Sequence, residues 1–425
     1  MAESYVIREY QSFTCREDLV DEDFKLMDEK TFNSLEKFIL ENNDMYESQG
    51  WEFFSISIKR GAKVISARNY VGLITMNDGT TIEVLPKLNT LDYGKSRTLL
   101  RDMLRTAREL PYKSFNEANV MSDKMNLYEV FIRMFLQETG SLVKRGLKAG
   151  YIYHESNEKY LKGKLLFNQN LKDNIAHKER FYIGYDEFAQ NRPENKLIKS
   201  TLLYVKGKSK DWKNRTDCNK YLTFFDEIDE SDNYESDFAK CAVDRSISEY
   251  ETILKWCRIF LMNKSFTMYK GSSVAFALLF PMEQLFESYV ADVMKKKLGD
   301  EYTVSAQHRK YYLFDDPKKF AIRPDIVVKN RETGVTTVFD TKWKMLTPVK
   351  EDDYDVSSAD MYQMYVYYKK YKPDKVVLVY PYNEDFEGWE RELKYKAVEE
   401  DEKVNIQVRL IDLLKKEEDI LRLVE

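Results

Sequence analysis

The stretch that most constrains this chain is RPDIVVKNRETGVTTVFDTKWK, residues 323–344. It contains two apolar, β-branched runs separated by the turn-forming segment KNRETG, a pattern that predicts a β-hairpin. Asp325 precedes the first run and Asp340 ends the second, so both carboxylates are expected at one end of the hairpin. Lys342 follows Asp340 by two residues, which places its ammonium on the same face of the strand.

These charged strand ends have two interpretations. An ordinary hairpin with charged tips is the simpler one, and it would be preferred for an isolated D-x-K. Alternatively, Asp325 and Asp340 bind Mg²⁺, which prefers oxygen ligands, and Lys342 orients water and stabilises negative charge during phosphodiester hydrolysis. The second interpretation is favoured because an apolar run leads directly into Asp340, and a carboxylate after a buried strand is costly unless it is paired or metal-bound.

Side chains on two predicted helices could complete such a site. On the helix that precedes the hairpin, Glu287 flanks the apolar face and is the candidate third metal ligand. Glu283, one turn earlier, is the competing candidate. On a later helix, Gln363 and Tyr367 lie one turn apart and share a face. They either support the active-site strands or are polar positions on a tyrosine-rich core helix.

The charge of the chain bears on how it could hold DNA. The formal net charge is −5, whereas proteins that bind DNA unaided usually present a basic face. The negative net charge indicates that part of the affinity for DNA is supplied by a partner. Arg309 and Lys310 lie on a predicted strand over 302–314, which enters the same sheet, and they are candidate contacts to the DNA backbone.

Composition limits the classes of protein that remain. A chain of 425 residues that is 43% hydrophobic predicts two or three globular domains. Its four cysteines form no C-x-x-C pair and only three histidines are present, so a zinc site or a disulfide framework is not expected. The apolar window over 274–282 is too short to span a bilayer. We expect a soluble cytoplasmic protein with no membrane association.

The order of the patterns predicts a multi-domain α/β protein with three parts. Residues 1–120 form a β-rich and then helical module, whose hairpin turns at Asn77-Asp78-Gly79. Residues 121–270 are mainly helical. Residues 271–425 alternate helices and strands, which predicts a mixed central sheet flanked by helices. The predicted segments within these parts are β structure over 52–88, helices over 95–110, 125–147, 245–262 and 359–371, and strands over 302–314, 320–328, 335–343, 375–382 and 403–412.

These residues, taken in order, resemble a known family. Glu287, Pro324-Asp325, Asp340-Thr341-Lys342 and the Gln363-x-x-x-Tyr367 helix are similar to the PD-(D/E)xK nuclease superfamily. A more specific set resembles the McrC family, the nuclease subunits of McrBC-type modification-dependent restriction systems. It consists of IEVLPKL (82–88), LKGKLLF (161–167), YDEF followed by NRPENKLIK (185–199), LFESYV (285–290), RPDIVV and DTKWK.

The resemblance implies an activity, a cofactor and a partner. It implies a C-terminal endonuclease domain that cleaves methylcytosine-containing double-stranded DNA with Mg²⁺. It also implies an McrB-like AAA+ GTPase hexamer, onto which the N-terminal module docks and whose GTP hydrolysis the chain stimulates. The site residues that it implies are the metal ligands Asp325, Asp340 and Glu287, the catalytic Lys342, and the supporting Gln363 and Tyr367.

The sequence has no nucleotide-binding motif of its own. Gly207-Lys208-Ser209 has Leu202 where a P-loop requires its first glycine, and no DNA-reading finger or basic recognition helix is evident. Both features fit a subunit that depends on a partner for its motor and its specificity. Two alternatives stay open: an autonomous PD-(D/E)xK nuclease of a phage-defence or repair system, and a non-catalytic regulator of an AAA+ ring.

Overall fold

The chain divides into two compact units. The structure is a computed structural model that describes residues 3–41, 53–76, 78–88, 92–106, 127–243, 250–262, 274–389, 392–398, 403–415 and 418–424. One unit comprises Met1–Leu110, Ser122–Lys124 and Lys270–Glu425, and the other comprises Pro111–Met121 and Met125–Tyr269. The first unit therefore joins the predicted N-terminal module to the predicted C-terminal domain. The functions assigned to the ranges 1–120, 121–270 and 271–425 stay predictions.

The described residues in the N-terminal part of the first unit form two small sheets and flanking helices. Its elements are β1 (Ser4–Arg8), β2 (Ser12–Thr14), β3 (Phe24–Leu26), α1 (Glu29–Glu41), β4 (Phe54–Lys59), β5 (Ala62–Ala67), β6 (Tyr70–Met76), β7 (Thr81–Leu85) and α2 (Tyr93–Thr106). One sheet has the order β3-β2-β5-β4. The predicted β6–β7 hairpin is confirmed by antiparallel pairing, although Asn77 of its turn lies outside the described residues.

A strand from far along the chain completes the second sheet, in the order β1-β7-β6-β11. This strand, β11 (Val274–Pro281), is the apolar window that was too short for a membrane span, and it pairs antiparallel with β6. Gly72 of β6 has φ +140°, and a Cβ there would lie 2.0 Å from the carbonyl oxygen of Leu278. The close approach of the two backbones therefore requires glycine at this position.

The second unit is mainly helical, as predicted. Its elements are α3 (Leu127–Arg145), β8 (Gly150–Glu158), β9 (Lys164–Leu165), α4 (Phe167–Asp173), β10 (Phe181–Ala189), α5 (Pro193–Lys208), α6 (Trp212–Leu222), α7 (Tyr234–Val243) and α8 (Glu251–Met262). Helix α5 begins at Pro193, where the missing N–H costs no hydrogen bond. The three strands form a separate sheet in the order β8-β10-β9. In the described part of the chain, no helix is long and apolar enough to cross a membrane.

The C-terminal part of the first unit is built on a mixed sheet. Its elements are α9 (Met282–Lys297), β12 (Tyr302–Ala306), β13 (Tyr311–Asp315), β14 (Lys318–Ile322), β15 (Ile326–Asn330), β16 (Thr336–Thr341), α10 (Ser358–Tyr371), β17 (Lys375–Pro381), β18 (Glu392–Val398), β19 (Lys403–Ile411) and α11 (Glu418–Leu421). The sheet order is β12-β15-β16-β17-β19-β18. Strands β15 and β16 are antiparallel, and β16, β17 and β19 are parallel. The predicted mixed sheet is confirmed.

Two strand predictions in this part are corrected, and one strand was missed. The predicted strand over 302–314 is interrupted after β12, because Gln307 has φ +48° and the chain turns there. The predicted strand over 320–328 is interrupted at Pro324, which has no N–H to donate. The remaining segments of these two predicted strands, β13 and β14, pair with each other as a separate two-stranded sheet. Strand β18 was not predicted; its sequence, ELKYKAV, alternates charged and apolar residues, as suits an edge strand.

Candidate active site

The hairpin β15–β16 brings the predicted acids and lysine together. Asp325 lies immediately before β15, and Asp340 lies at the end of β16 with 1% of its surface exposed. The Nζ atom of Lys342 lies 2.6 Å from Oδ2 of Asp340. The other acid is fixed by Thr341, whose backbone N–H and hydroxyl donate to Oδ2 of Asp325 at 2.7 and 2.8 Å. The expected convergence at one sheet edge is present in the structure.

Helix α10 contributes two predicted side chains to this cluster. The amide oxygen of Gln363 accepts a hydrogen bond from Lys342 at 3.1 Å, and its amide nitrogen donates to the hydroxyl of Tyr367 at 2.6 Å. The same hydroxyl lies 3.0 Å from the carbonyl oxygen of Arg323 and 3.3 Å from Oδ1 of Asp340. Gln363 and Tyr367 therefore contact the acid and the lysine, as the supporting interpretation expects.

The two candidate glutamates on α9 have different surroundings. Glu287 is partly buried, receives a 3.5 Å contact from the amide of Gln307, and lies close enough to Asp325 to raise its pKa. Glu283 is exposed and accepts a hydrogen bond from Asn69 at 2.7 Å. Of the two, Glu287 is the one whose charge acts on the acid pair.

The electrostatics of the site are dominated by burial and by repulsion between carboxylates. Burial, reinforced by the charge of Glu287, raises the pKa of Asp325 to about 6, against the hydrogen bonds from Thr341. Burial and the charge of Asp325 likewise raise the pKa of Asp340 to about 6. Burial alone would lower the pKa of Lys342, but the adjacent Asp340 raises it, so the ammonium stays charged.

The carboxylates have the chemistry of a binding site for Mg²⁺. Their ligand atoms are all oxygens, and a divalent cation would relieve the repulsion that raises both aspartate pKa values. Among the described residues, no three or more His, Cys, Asp or Glu side chains already surround a metal position. In donor chemistry and charge, Asp325 and Asp340 fit the ion, with Glu287 as the nearby third acid.

Three further residues of the site were not predicted. Thr341 holds Asp325, Gln307 contacts Glu287, and Oδ1 of Asp360 lies 3.9 Å from Nζ of Lys342. Asp360 precedes Gln363 by three residues, so helical spacing could have revealed it. Thr341 and Gln307 carried no signal in the sequence, because nothing in the surrounding residues distinguishes them from a threonine in any strand or a glutamine in any loop.

The candidate DNA contacts Arg309 and Lys310 lie between β12 and β13, not within a strand as predicted. Both side chains are exposed. The ammonium of Lys310 lies 5.2 Å from the centroid of the Tyr311 ring. Because the segment begins at Gln307, which contacts Glu287, it leaves the sheet beside the acid cluster. The contact of these two cations with DNA stays a prediction.

The fold and this arrangement define a class of protein. A mixed sheet flanked by helices, with an acid before one strand and D-x-K at the end of the next, is the arrangement that the sequence resemblance predicted, and the predicted multi-domain α/β fold class is confirmed. A family model described as "McrBC 5-methylcytosine restriction system component" matches residues 65–381, most of the chain. The chain belongs to this family.

A comparison with solved structures found one chain of the same overall fold and a second, weaker match. A chain in the refined half-complex from the tetradecameric assembly of Thermococcus gammatolerans McrB AAA+ hexamers with bound McrC matches with a TM-score of 0.63 and 18% identity, covering 99% of both chains. A chain in the cryo-EM structure of the Thermococcus gammatolerans McrBC complex matches with a TM-score of 0.49 and 20% identity, covering 70% of this chain and 88% of that one. A comparison with curated proteins found no match.

Proposed function

We propose that this chain is the Mg²⁺-dependent DNA endonuclease subunit of an McrBC-type restriction system. The observation that carries the proposal is the 2.6 Å pair of Lys342 with the buried Asp340, beside Asp325. Phosphodiester hydrolysis needs carboxylates for a hard cation and a positive group near the developing negative charge. One sheet edge of this molecule holds both.

Each side chain then has a role in hydrolysis. Asp325 and Asp340 hold Mg²⁺, assisted by Glu287. When bound, the ion polarises a phosphate oxygen and lowers the pKa of coordinated water. Lys342 positions the attacking water and stabilises the negative charge that forms on the phosphate. Gln363 and Tyr367 keep the lysine and Asp340 in place through the hydrogen bonds described above.

The proposal includes a partner and a type of DNA. We infer that the chain acts with an McrB-like AAA+ GTPase hexamer, docks onto it through residues 1–120, stimulates its GTP hydrolysis, and cleaves methylcytosine-containing DNA. The family match, the negative net charge and the lack of a P-loop in the sequence support this inference. The fold likeness to a chain from an assembly of McrB hexamers with bound McrC supports it as well.

The Asp340→Ala variant, assembled with the AAA+ partner, separates cleavage from regulation. With GTP, Mg²⁺ and methylated plasmid, we expect the variant to lose cleavage and to stimulate GTP hydrolysis as the wild type does, because only the nuclease site is altered. Asp385→Ala, a change at an exposed acid of the same part of the chain, is the control. Wild-type cleavage by Asp340→Ala would contradict the site and favour a regulatory role. Cleavage by the wild-type chain without the partner would favour an autonomous nuclease.

A further inference from the structure

A buried glutamate from the N-terminal part of the chain contacts the residue that follows Lys342. Glu9 lies directly after β1 and has 1% of its surface exposed. Its Oε2 atom accepts the backbone N–H of Lys87 at 3.0 Å and the indole N–H of Trp343 at 3.0 Å. Its Oε1 atom lies 3.2 Å from the same indole nitrogen. The glutamate therefore connects the ends of β1 and β7 to the strand that carries the D-x-K.

Trp343 in turn touches the helix that carries Glu287. Its ring packs edge-on against Phe286, with 5.3 Å between the ring centroids and an angle of 62° between the planes. Phe286 is fully buried and directly precedes Glu287. Trp343 is thus held between Glu9 and Phe286, and it is bonded covalently to Lys342. A shift of this indole would move the backbone on which the lysine stands and disturb the helix turn that presents the glutamate.

We propose that Glu9 is a positioning residue of the nuclease site, an inference that rests on the proposed function. Its carboxylate fixes the Trp343 indole, and the indole fixes Lys342 and the Phe286–Glu287 turn. A buried indole N–H needs an acceptor, and Glu9 supplies it. Residues that orient catalytic side chains without touching the substrate affect activity strongly, because a small displacement of a catalytic group lowers the rate. The residue after strand β1 is therefore part of the structure that positions the nuclease site.

Three variants separate positioning from general stability. Glu9→Gln retains an acceptor oxygen that can serve both donors at the Oε2 position. Glu9→Leu removes the acceptor at similar size. Trp343→Phe removes the donor and keeps an aromatic ring against Phe286. Glu83→Gln is the matched control, because Glu83 is also buried in the N-terminal strands, where it accepts from Arg97 at 2.7 Å.

The measurement is single-turnover cleavage of methylated plasmid by the full-length chain with its AAA+ partner, GTP and Mg²⁺, together with DNA affinity and the melting temperature. We expect Glu9→Leu to lower the cleavage rate by about 10- to 100-fold with DNA affinity unchanged. Glu9→Gln should restore a rate close to that of the wild type. Trp343→Phe should lower the rate too, and the double variant Glu9→Leu/Trp343→Phe should be no slower than the slower single variant.

Several results would overturn the inference. If folded Glu9→Leu or Trp343→Phe cleaves at the wild-type rate, Glu9 does not position the site. An equal loss of rate in Glu83→Gln would mean that any buried carboxylate in these strands acts through stability alone. Should Glu9→Leu fail to fold, Trp343→Phe decides the matter. Failure of the proposed function is distinguishable, because Asp340→Ala would then retain cleavage whatever the Glu9 variants do.

Discussion

At the residue scale, the site depends on which charges the fold buries. Asp340 is almost inaccessible, and its charge is balanced by Lys342 at 2.6 Å and by the hydroxyl of Tyr367 at 3.3 Å. Glu9 is equally buried, but it is held by hydrogen bonds from Trp343 and from the backbone N–H of Lys87, with the charges of Lys87 and Glu283 also acting on it. Asp340 therefore has an ammonium in direct contact, whereas Glu9 is fixed mainly by hydrogen-bond donors.

The buried Glu9 gives a prediction for stability against pH. Burial raises its pKa to about 8 from the ordinary 4.5, with a further increase from Glu283 and opposition from the backbone N–H of Lys87 and the indole of Trp343. Between these pH values the native state binds more protons than the unfolded state, so the free energy of unfolding contributed by Glu9 falls as pH rises from about 4.5 to about 8.

Urea unfolding of the wild type and of Glu9→Gln at a series of pH values tests this contribution. The neutral glutamine cannot ionise, so we expect its stability relative to the wild type to increase steadily across the window and to level off above it. A difference between the two proteins that is constant from pH 5 to pH 9 would contradict the shifted pKa of Glu9.

The sequence predicted part of the site at this scale. Asp325, Asp340 and Lys342 follow from strand periodicity and from the antiparallel hairpin, both of which are local properties of the chain. The contact of Gln363 and Tyr367 with them depended on the packing of α10, which spacing alone left open. Glu9 and Trp343 are 334 residues apart in sequence, and their hydrogen bond left no local signal.

At the element scale, the pairing of β6 with β11 links the N-terminal and C-terminal parts of the first unit. Gly72 allows this pairing, because it has no Cβ and adopts a φ of +140°, so the backbone of Leu278 can lie close to it. Gly72→Ala should lower the free energy of unfolding by about 3 kcal/mol or more, since a Cβ there would overlap a carbonyl oxygen of β11. Gly61→Ala is the control: its φ is +75°, and among the described residues beyond its chain neighbours no atom lies within 4 Å of the added Cβ, so it should cost about 1 kcal/mol.

Chemical unfolding of the two glycine variants provides the measurement. Equal destabilisation by Gly72→Ala and Gly61→Ala would show that backbone conformation, and not the contact with β11, sets the cost at Gly72. Helices α2, α3, α5 and α8 to α10 were predicted, because their apolar spacing is strong and Pro193 and Pro281 mark helix starts. Helices α1, α4, α6 and α7 were missed. The breaks at Gln307 and Pro324 were missed, since β-rich runs continue across both positions.

At the scale of the whole molecule, the two ends of the chain fold as one unit. Strand β11 pairs with β6, and Trp343 bonds to Glu9, so a fragment of Lys270–Glu425 would lose both partners. We expect this fragment alone to lack a cooperative thermal transition by circular dichroism, and co-expression with Met1–Leu110 to restore one. A cooperative transition of the lone fragment near that of the full chain would contradict the single unit.

Hydrophobic patterns report local structure, so the sequence predicted three successive parts and not the union of the first with the last. Asn69 and Glu283 are hydrogen-bonded across 214 residues, a separation that no window of the sequence can cover. The family resemblance rested on ordered motifs along most of the chain, and the family match over residues 65–381 confirms it. The hydrogen bond that connects the N-terminal strands to the candidate active site became visible only in three dimensions.

In the proposed function, the D-x-K lysine serves DNA hydrolysis. The most direct measurement compares single-turnover cleavage of methylated plasmid by Lys342→Ala and Lys344→Ala, each with the AAA+ partner, GTP and Mg²⁺. Lys344 is two residues away and pairs with the exposed Asp355 at 2.9 Å. We predict that Lys342→Ala lowers the cleavage rate by about 10²- to 10³-fold and that Lys344→Ala leaves it unchanged. Cleavage by Lys342→Ala at the wild-type rate would contradict a role of this lysine in DNA hydrolysis.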